Sequence, residues 1–528
     1  MLGFYTFRPR SPRSVALCIV ALCLGASLLA GCSTLPSLEQ RRTSTVLLDT
    51  GTTPLGRAIA PLVDAHPGRS GLYPLPDAHE AFAARVLLAQ AAERTLDVQY
   101  YLWRKDMTGT LLFEALHGAA DRGVRVRLLL DDNRTSGLET TLAALDAHPN
   151  IEVRLFNPFV IRKPRVIGFM TDFSRANRRM HNKSFTADNQ VTIIGGRNVG
   201  DEYFDATEGV VFVDLDVMAV GPVVTDVSQD FDRYWASRSS YPVDRLLPPA
   251  DPALIRELAS AASLIERDPA AAAYMDALHR SPIIRELLEG RLALEWAITR
   301  LVSDDPAKGL GLAAPEAHLL QKLKEIIGEP AAEIELMSAY FVLAATGADA
   351  FAALAERGVK ITVLTNSLEA TDVAPVHAGY AKRRKSLLEA GITLYELRRL
   401  SPDTGANTRA GLVGSVGRSA SGLHAKTFSV DRARVFIGSF NFDPRSAKLN
   451  TEMGVVIDSP ALAQRIAAAF DSSIPASAYE VRLSDTGELF WIERRDGKWV
   501  RHDTEPGTSF WQRAGVWFLS LLPIEWLL

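Results

Sequence analysis

The hydrophobic and polar positions divide the chain into short β-rich runs separated by stretches of helical period. Leu96–Trp103 (LDVQYYLW), Gly123–Asp132 (GVRVRLLLDD) and Ile151–Phe156 (IEVRLF) have the length and the β-branched and aromatic content of strands. Ala81–Glu93 and Ala348–Arg357 space their apolar residues three and four apart and predict helices. A second series, Ile334–Val342 (IELMSAYFV), Gly358–Ser367 (GVKITVLTNS) and Ile392–Leu397 (ITLYEL), follows in the same order. The offset of roughly 240 residues is far longer than a solenoid repeat. The pattern therefore predicts an α/β fold built from a duplicated domain, two mixed β-sheets flanked by helices. Residues 36–76 are rich in Pro, Gly, Ser and Thr and predict a tether. The expected organisation is a leader over 1–31, a tether over 32–76 and a first domain over 77–239. A helical connector over 240–325 (Ile255–Ile265, Ile283–Val302), a second domain over 326–475 and a tryptophan-rich tail over 476–528 complete it.

The leader has its own chemistry. Arg8, Arg10 and Arg13 precede an apolar stretch, Val15–Ala30, that is too short to span a bilayer and has the form of a secretory signal. It ends in Leu29-Ala30-Gly31-Cys32, which resembles the lipobox of bacterial lipoproteins and implies lipidation of Cys32. The expected location is the bacterial cell envelope, membrane-attached and facing the periplasm. Ser33, in place of a retaining Asp, points to the outer membrane, whereas bulk lipid synthesis points to the inner one. Cys18, Cys23 and Cys32 are the only cysteines, which excludes disulfide frameworks, cysteine-ligated metals and thiol nucleophiles from the body of the chain. The net charge of −4 excludes a general nucleic-acid coat but not a local basic site.

Two segments align without gaps over 18 positions, His181–Asn198 (HNKSFTADNQVTIIGGRN) against His424–Asn441 (HAKTFSVDRARVFIGSFN), with seven identities. His and Lys two apart project to one face of a strand. Asp188-Asn189 and Asp431-Arg432 are turn-like. The returning strands bring Gly195–Asn198 beside His181 and Lys183, and Gly438–Asn441 beside His424 and Lys426. The glycines predict close approach of a ligand to the backbone. This set suits a phosphodiester: Lys183 and Lys426 neutralise charge, and Asn198, Ser439 and Asn441 donate to non-bridging oxygens. One imidazole attacks phosphorus and the other protonates the leaving alkoxide. Asp188 and Asp431 sit where Asx capping of a turn is expected, and structural support is their expected physical role.

His181-x-Lys183-x4-Asp188 and His424-x-Lys426-x4-Asp431, each followed by a glycine turn and Asn, resemble the paired HKD motifs of the phospholipase D superfamily. The resemblance extends to the bacterial cardiolipin synthases through Thr95–Trp103, Gly123–Asn133, Arg178–Asn198, Asp214–Met218, Ser303–Gly309, Thr365–Ser367, Gly438–Arg445 and Pro523–Leu528. It implies a duplicated phospholipase D fold, the halves related by a pseudo-twofold axis, with one shared active site. It counts Asp188 and Asp431 with the catalytic His and Lys residues, makes His181 the nucleophile and His424 the acid, and needs no cofactor or metal. It also implies a carboxylate behind each histidine. Glu452 fits that role in the second half and Asp216 in the first, with Asp214 as the competitor for His181. The implied reaction transfers a phosphatidyl group from a phospholipid, phosphatidylethanolamine in one branch of the family, to phosphatidylglycerol through a phosphohistidine. Membrane phospholipids and the membrane surface are the expected partners; nucleic acid is not, and the sequence names no helper protein. A phospholipase D hydrolase, a phosphodiesterase nuclease and an inactive envelope scaffold are the competing readings. Arg175, Arg178, Arg179, Arg398 and Arg399 are candidates for the headgroup entrance or for solvated loops.

Overall fold

The computed structural model describes residues 34–399 and 421–528, apart from Glu208, Asp496 and scattered positions within 252–279. The leader with Cys32, and most of Ile255–Ile265, lie outside the described residues. The first half supplies β1 (Ser70–Leu75), β2 (Thr95–Tyr100), β3 (Arg125–Asp131), β4 (Ile151–Phe156), β5 (Ser184–Ala187), β6 (Val191–Gly195), β7 (Val211–Val213), β8 (Asp216–Val220) and β9 (Ser240–Pro242). The second supplies β10 (Glu295–Ser303), β11 (Glu333–Ser338), β12 (Lys360–Asn366), β13 (Thr393–Leu397), β14 (Ser421–Leu423), β15 (Lys426–Val430), β16 (Arg434–Gly438), β17 (Met453–Asp458) and β18 (Ala478–Leu483). A hairpin, β19 (Leu489–Arg495) and β20 (Lys498–His502), extends that edge.

Pairing makes the duplication explicit. In the first half the spatial order is β1-β8-β6-β5-β2-β3-β4-β9, with β2, β3 and β4 parallel and the rest antiparallel. The second half repeats it as β10-β17-β16-β15-β11-β12-β13-β18, with β11, β12 and β13 parallel. Helices occupy matching crossovers, Met107–Asp121 between β2 and β3 and Ala345–Glu356 between β11 and β12. One face of each sheet packs on its own helices, through Val98, Leu112 and Leu128 in one half and Leu336, Val363 and Tyr380 in the other. The other faces meet in a common cluster that includes Ile194, Val217, Ile437 and Val455. Each such buried side chain contributes about 1.5–3 kcal/mol, so the interface between halves is a core in its own right.

Several boundaries differ from the sequence expectation, and β9 and β18 extend the two sheets into the expected connector and tail. Residues 54–75, expected in the tether, form a helix (Pro54–Asp64) and the edge strand β1. The stretch Ile283–Val302, expected to be helical, yields only Ile283–Leu288 as helix and then β10. That strand pairs with β1 through Ala297 and with β17 from Ile298 onward, so it joins the two sheets. Its apolar residues satisfy a helical spacing locally, and tertiary pairing overrides it.

Candidate active site

Each motif folds into a hairpin whose turn residues have positive φ: Asp188 and Asn189 at 52° and 51°, Asp431 and Arg432 at 52° and 49°. Two consecutive left-handed residues make the type I′ turn that matches the twist of the flanking strands. The histidines stand just before β5 and β15, and each is held by the other half. His181 N donates to Thr451 O at 2.8 Å, and His424 N donates to Val213 O at 2.8 Å. The residue after each acceptor is an acid. Glu452 Oε2 accepts from His181 Nδ1 at 2.8 Å, and Asp214 Oδ2 accepts from His424 Nδ1 at 2.5 Å. The orienting carboxylates therefore cross between halves. Because a carboxylate can only accept, each Nδ1 carries the hydrogen and each Nε2 is left with a lone pair.

Aromatic edges fix the rings from the side. Tyr101 lies 5.1 Å from His181, and Tyr203 lies 5.1 Å from His424, both edge-on. Lys183 Nζ donates to His181 O at 2.5 Å, and Lys426 Nζ donates to His424 O. Burial lowers His181 to about 4, against the opposing pull of Glu452, and lowers His424 to about 3, helped by Lys426. Burial also brings Lys183 down to about 7 and Lys426 to about 8. The charge of Lys426 acts on His181 and that of Lys183 on His424, so the two motifs form one electrostatic unit. Burial would raise Asp214, yet His424 and its hydrogen bond hold it at about 2. At neutral pH the site presents two neutral imidazoles, each backed by a carboxylate, over two weakly basic ammonium groups. The two ammonium groups attract an incoming anion, and the two imidazoles leave two nitrogens free for attack and proton transfer.

A family model described as "Cardiolipin synthase, PLD-like domain" matches residues 86–235 and 323–474. The chain belongs to this family of the phospholipase D superfamily. It is 52% identical over 474 residues to cardiolipin synthase C of Escherichia coli, covering 90% of this chain and 99% of that one. An uncharacterised protein of Helicobacter pylori is 30% identical over 498 residues, covering 93% and 96% of the two chains. Among solved structures, phosphatidylserine synthase of Haemophilus influenzae superposes with a TM-score of 0.55 at 14% identity, over 90% of this chain and all of that one, a likeness of fold.

Several residues expected at the phospholipase D site have other positions. Asp216 touches neither histidine. It accepts from Arg85 Nη2 at 2.7 Å and from the Arg197 amide at 3.1 Å, and Asp214, the expected competitor, serves His424 rather than His181. Asp188 and Asp431 are at the turn ends of their hairpins, roughly 20 Å of extended chain from the histidines. Asp188 accepts from the amides of Glu93, Arg94 and Thr95 at 2.7–3.0 Å, and Asp431 from those of Ala331, Ala332 and Glu333 at 2.7–3.2 Å. Both are positioning groups, because a short acid at a tight turn finds backbone donors before it can reach the cleft. Ser439 turns its hydroxyl to Glu452 at 2.5 Å instead of leaving it for a ligand. Asn198 donates to Tyr203 Oη at 3.1 Å, and the side-chain oxygens of Asn198 and Asn441 are buried without a partner.

The space left by the glycines is already filled. A Cβ on Gly196 would lie 2.2 Å from Asp214 Oδ1, and one on Gly195 would lie 2.2 Å from Asp216 Oδ1. The arginines before the motifs are mostly braces: Arg175 pairs with Asp172, Arg179 with Asp131 and Arg398 with Glu493. Two further groups were not singled out in the sequence. Asp304, in the SDDPAKG segment, accepts from the Glu452 amide at 2.8 Å and from Lys308 Nζ at 2.9 Å, and so holds Glu452 from behind. His117, Asp121 and His148 bring ligand-type atoms within 4.8 Å of one another away from the motif histidines. There His148 Nδ1 accepts from Asn150 N, which commits Nε2–H to Asp121 and leaves that nitrogen no lone pair for a cation.

Proposed function

We propose that this protein is a cardiolipin synthase that moves a phosphatidyl group from a donor phospholipid to phosphatidylglycerol through a phosphohistidine. The reading is carried by the two crossed His–carboxylate pairs, together with the 52% identity to cardiolipin synthase C. His181 Nε2 attacks the donor phosphorus while Lys183 and Lys426 neutralise the non-bridging oxygens. His424 acts as acid, giving a proton to the departing headgroup alcohol. The short bond to Asp214 favours the charged state this role requires, so His424 takes up its proton as the anionic phosphate arrives. Phosphatidylglycerol then enters, His424 removes a proton from its glycerol hydroxyl, and the resulting oxygen displaces His181. Phosphatidylethanolamine is the donor we assign, and an acylated Cys32 is the membrane attachment, on the periplasmic side of the envelope. No helix among the described residues is long and apolar enough to cross a membrane.

The test supplies purified protein with headgroup-labelled phosphatidylethanolamine and phosphatidylglycerol and follows products by mass spectrometry. Cardiolipin with one equivalent of free ethanolamine is expected. Phosphatidic acid as the sole product would replace the synthase by a hydrolase.

A further inference from the structure

The molecule exposes large apolar side chains in a way that the chemistry of the cleft does not use. On the helix Arg165–Thr171, Val166, Ile167 and Met170 are 62%, 45% and 74% exposed. On and after the helix Phe510–Ser520, Trp511, Trp517 and Trp526 are 80%, 65% and 56% exposed. The second helix is well formed. Ser509 and Gln512 make a reciprocal capping box, and Val516 packs it on Leu368 and Ala378. A capped helix therefore holds two indoles out in water, and exposed apolar side chains grouped in this way mark an interaction site.

The two segments are remote in sequence and adjacent in space. The Phe173 ring lies edge-on to Trp526 with centroids 6.3 Å apart. Arg445, four residues after Asn441, ties them together: its guanidinium donates to Asn177 Oδ1 at 2.8 Å and to Leu527 O at 3.1 Å. Asn177 is four residues before His181, and Leu528 clusters with Val342 and Val376, against which Tyr340 packs. The apolar patch thus adjoins the segment that leads into His181. Cations line the same rim. Arg178 Nη1 donates to Lys448 O at 3.0 Å, and Lys163, Arg178 and Lys448 form no ion pair among the described residues. Tryptophans with flanking unpaired cations are the composition of a bilayer interface rather than of a protein–protein core, where lysine is depleted.

We infer that these two segments form a docking collar that immerses in an anionic phospholipid bilayer and presents headgroups to the cleft. The inference rests on the cardiolipin synthase reading for its substrate and specifies how the site reaches it. The collar sets the depth of the cleft at the headgroup layer, so a lipid slides in without leaving the membrane.

Because acylation of Cys32 would tether the chain by itself, bulk vesicle binding is not the readout. The full-length protein is placed on phosphatidylglycerol–phosphatidylethanolamine vesicles containing lipids brominated in the acyl chain, and tryptophan quenching is measured. Quenching is expected, and it should shrink in Trp517→Phe. Met170→Asp combined with Trp517→Asp should lower kcat/KM on vesicles by about tenfold or more, the cost of losing one or two buried apolar anchors. The same variant should keep its turnover of short-chain, detergent-dispersed substrates within about twofold, since neither side chain reaches a histidine. An absence of quenching, or an equal loss on both substrate forms, overturns the collar. Failure of the unaltered protein to make cardiolipin from dispersed lipids would instead overturn the synthase reading, while the quenching still reports on the collar.

Discussion

At the residue scale the decisive feature is which acid serves which histidine. Asp216 opens β8 and Asp214 lies two residues before it, so the sequence pattern reads both as one face leading into the apolar run and cannot separate them. Register does separate them. Gly195 pairs with Asp216 and Gly438 pairs with Gly454, so Asp214 corresponds to Glu452. Asp214→Asn and Glu452→Gln are each expected to lower kcat by roughly 10³–10⁴-fold with little change in melting temperature, as loss of a triad orienter does. Asp216→Asn should behave differently. It leaves the buried guanidinium of Arg85 without its carboxylate and should cost about 3–5 kcal/mol of stability, with turnover per folded molecule largely kept. Denaturant titrations beside steady-state kinetics distinguish the two classes, and a reversal of these effects would contradict the crossed assignment.

The two lysines make a pH prediction at the same scale. With Lys183 near 7 and Lys426 near 8, below the ordinary 10.5, the empty site loses its positive charge as pH rises through 7–8. Substrate affinity should fall over that window, so kcat/KM declines above about pH 8 unless bound lipid holds the protons. Stability should move the other way. The unfolded chain keeps both lysines protonated up to their ordinary value, so it binds more protons than the folded state between about pH 7 and 10, and stability rises with pH there. Parallel pH series of kcat/KM and of unfolding midpoint check this; a flat profile of both from pH 7 to 9 would refute it.

At the element scale the hairpins show how much a duplicated motif reveals. The strands, the turns and the convergence of His, Lys and Asn at one end follow from period-two patterning and turn chemistry in a single stretch of sequence, and they were legible. A supporting role for the motif acids was legible from turn chemistry, but their partners were not, because these lie on other segments: the amides of Glu93–Thr95 for Asp188 and those of Ala331–Glu333 for Asp431. Asp188→Ala removes a charged acceptor from three buried or half-buried amides and should cost on the order of 3 kcal/mol in unfolding free energy. Turnover per folded molecule should persist, measured as active-site-normalised kcat. An inactive but fully stable variant would return Asp188 to the chemistry. The strand β10 is the other lesson. Its apolar residues read as helical because burial in a sheet that links both halves is not a local property.

At the scale of the whole molecule, the repeat and the resemblance implied two halves sharing one site, but the sequence could not say which groups cross from one half to the other. The crossed hydrogen bonds from His181 to Thr451 and from His424 to Val213, and the common core between the sheets, exist only once the halves are docked. Neither half alone should retain an oriented histidine. In the proposed mechanism, the asymmetry between nucleophile and acid is assigned to Glu452 on one side and Asp214 on the other. The most direct measurement uses His424→Ala with a phosphatidyl donor carrying p-nitrophenol, a leaving group that needs no acid. The expected result is a burst of one p-nitrophenol per chain and a phosphatidyl adduct on the peptide containing His181, seen by mass spectrometry and absent from His181→Ala. An adduct on the His424 peptide of His181→Ala, or no burst from His424→Ala, would contradict the assignment of His181 as the nucleophile.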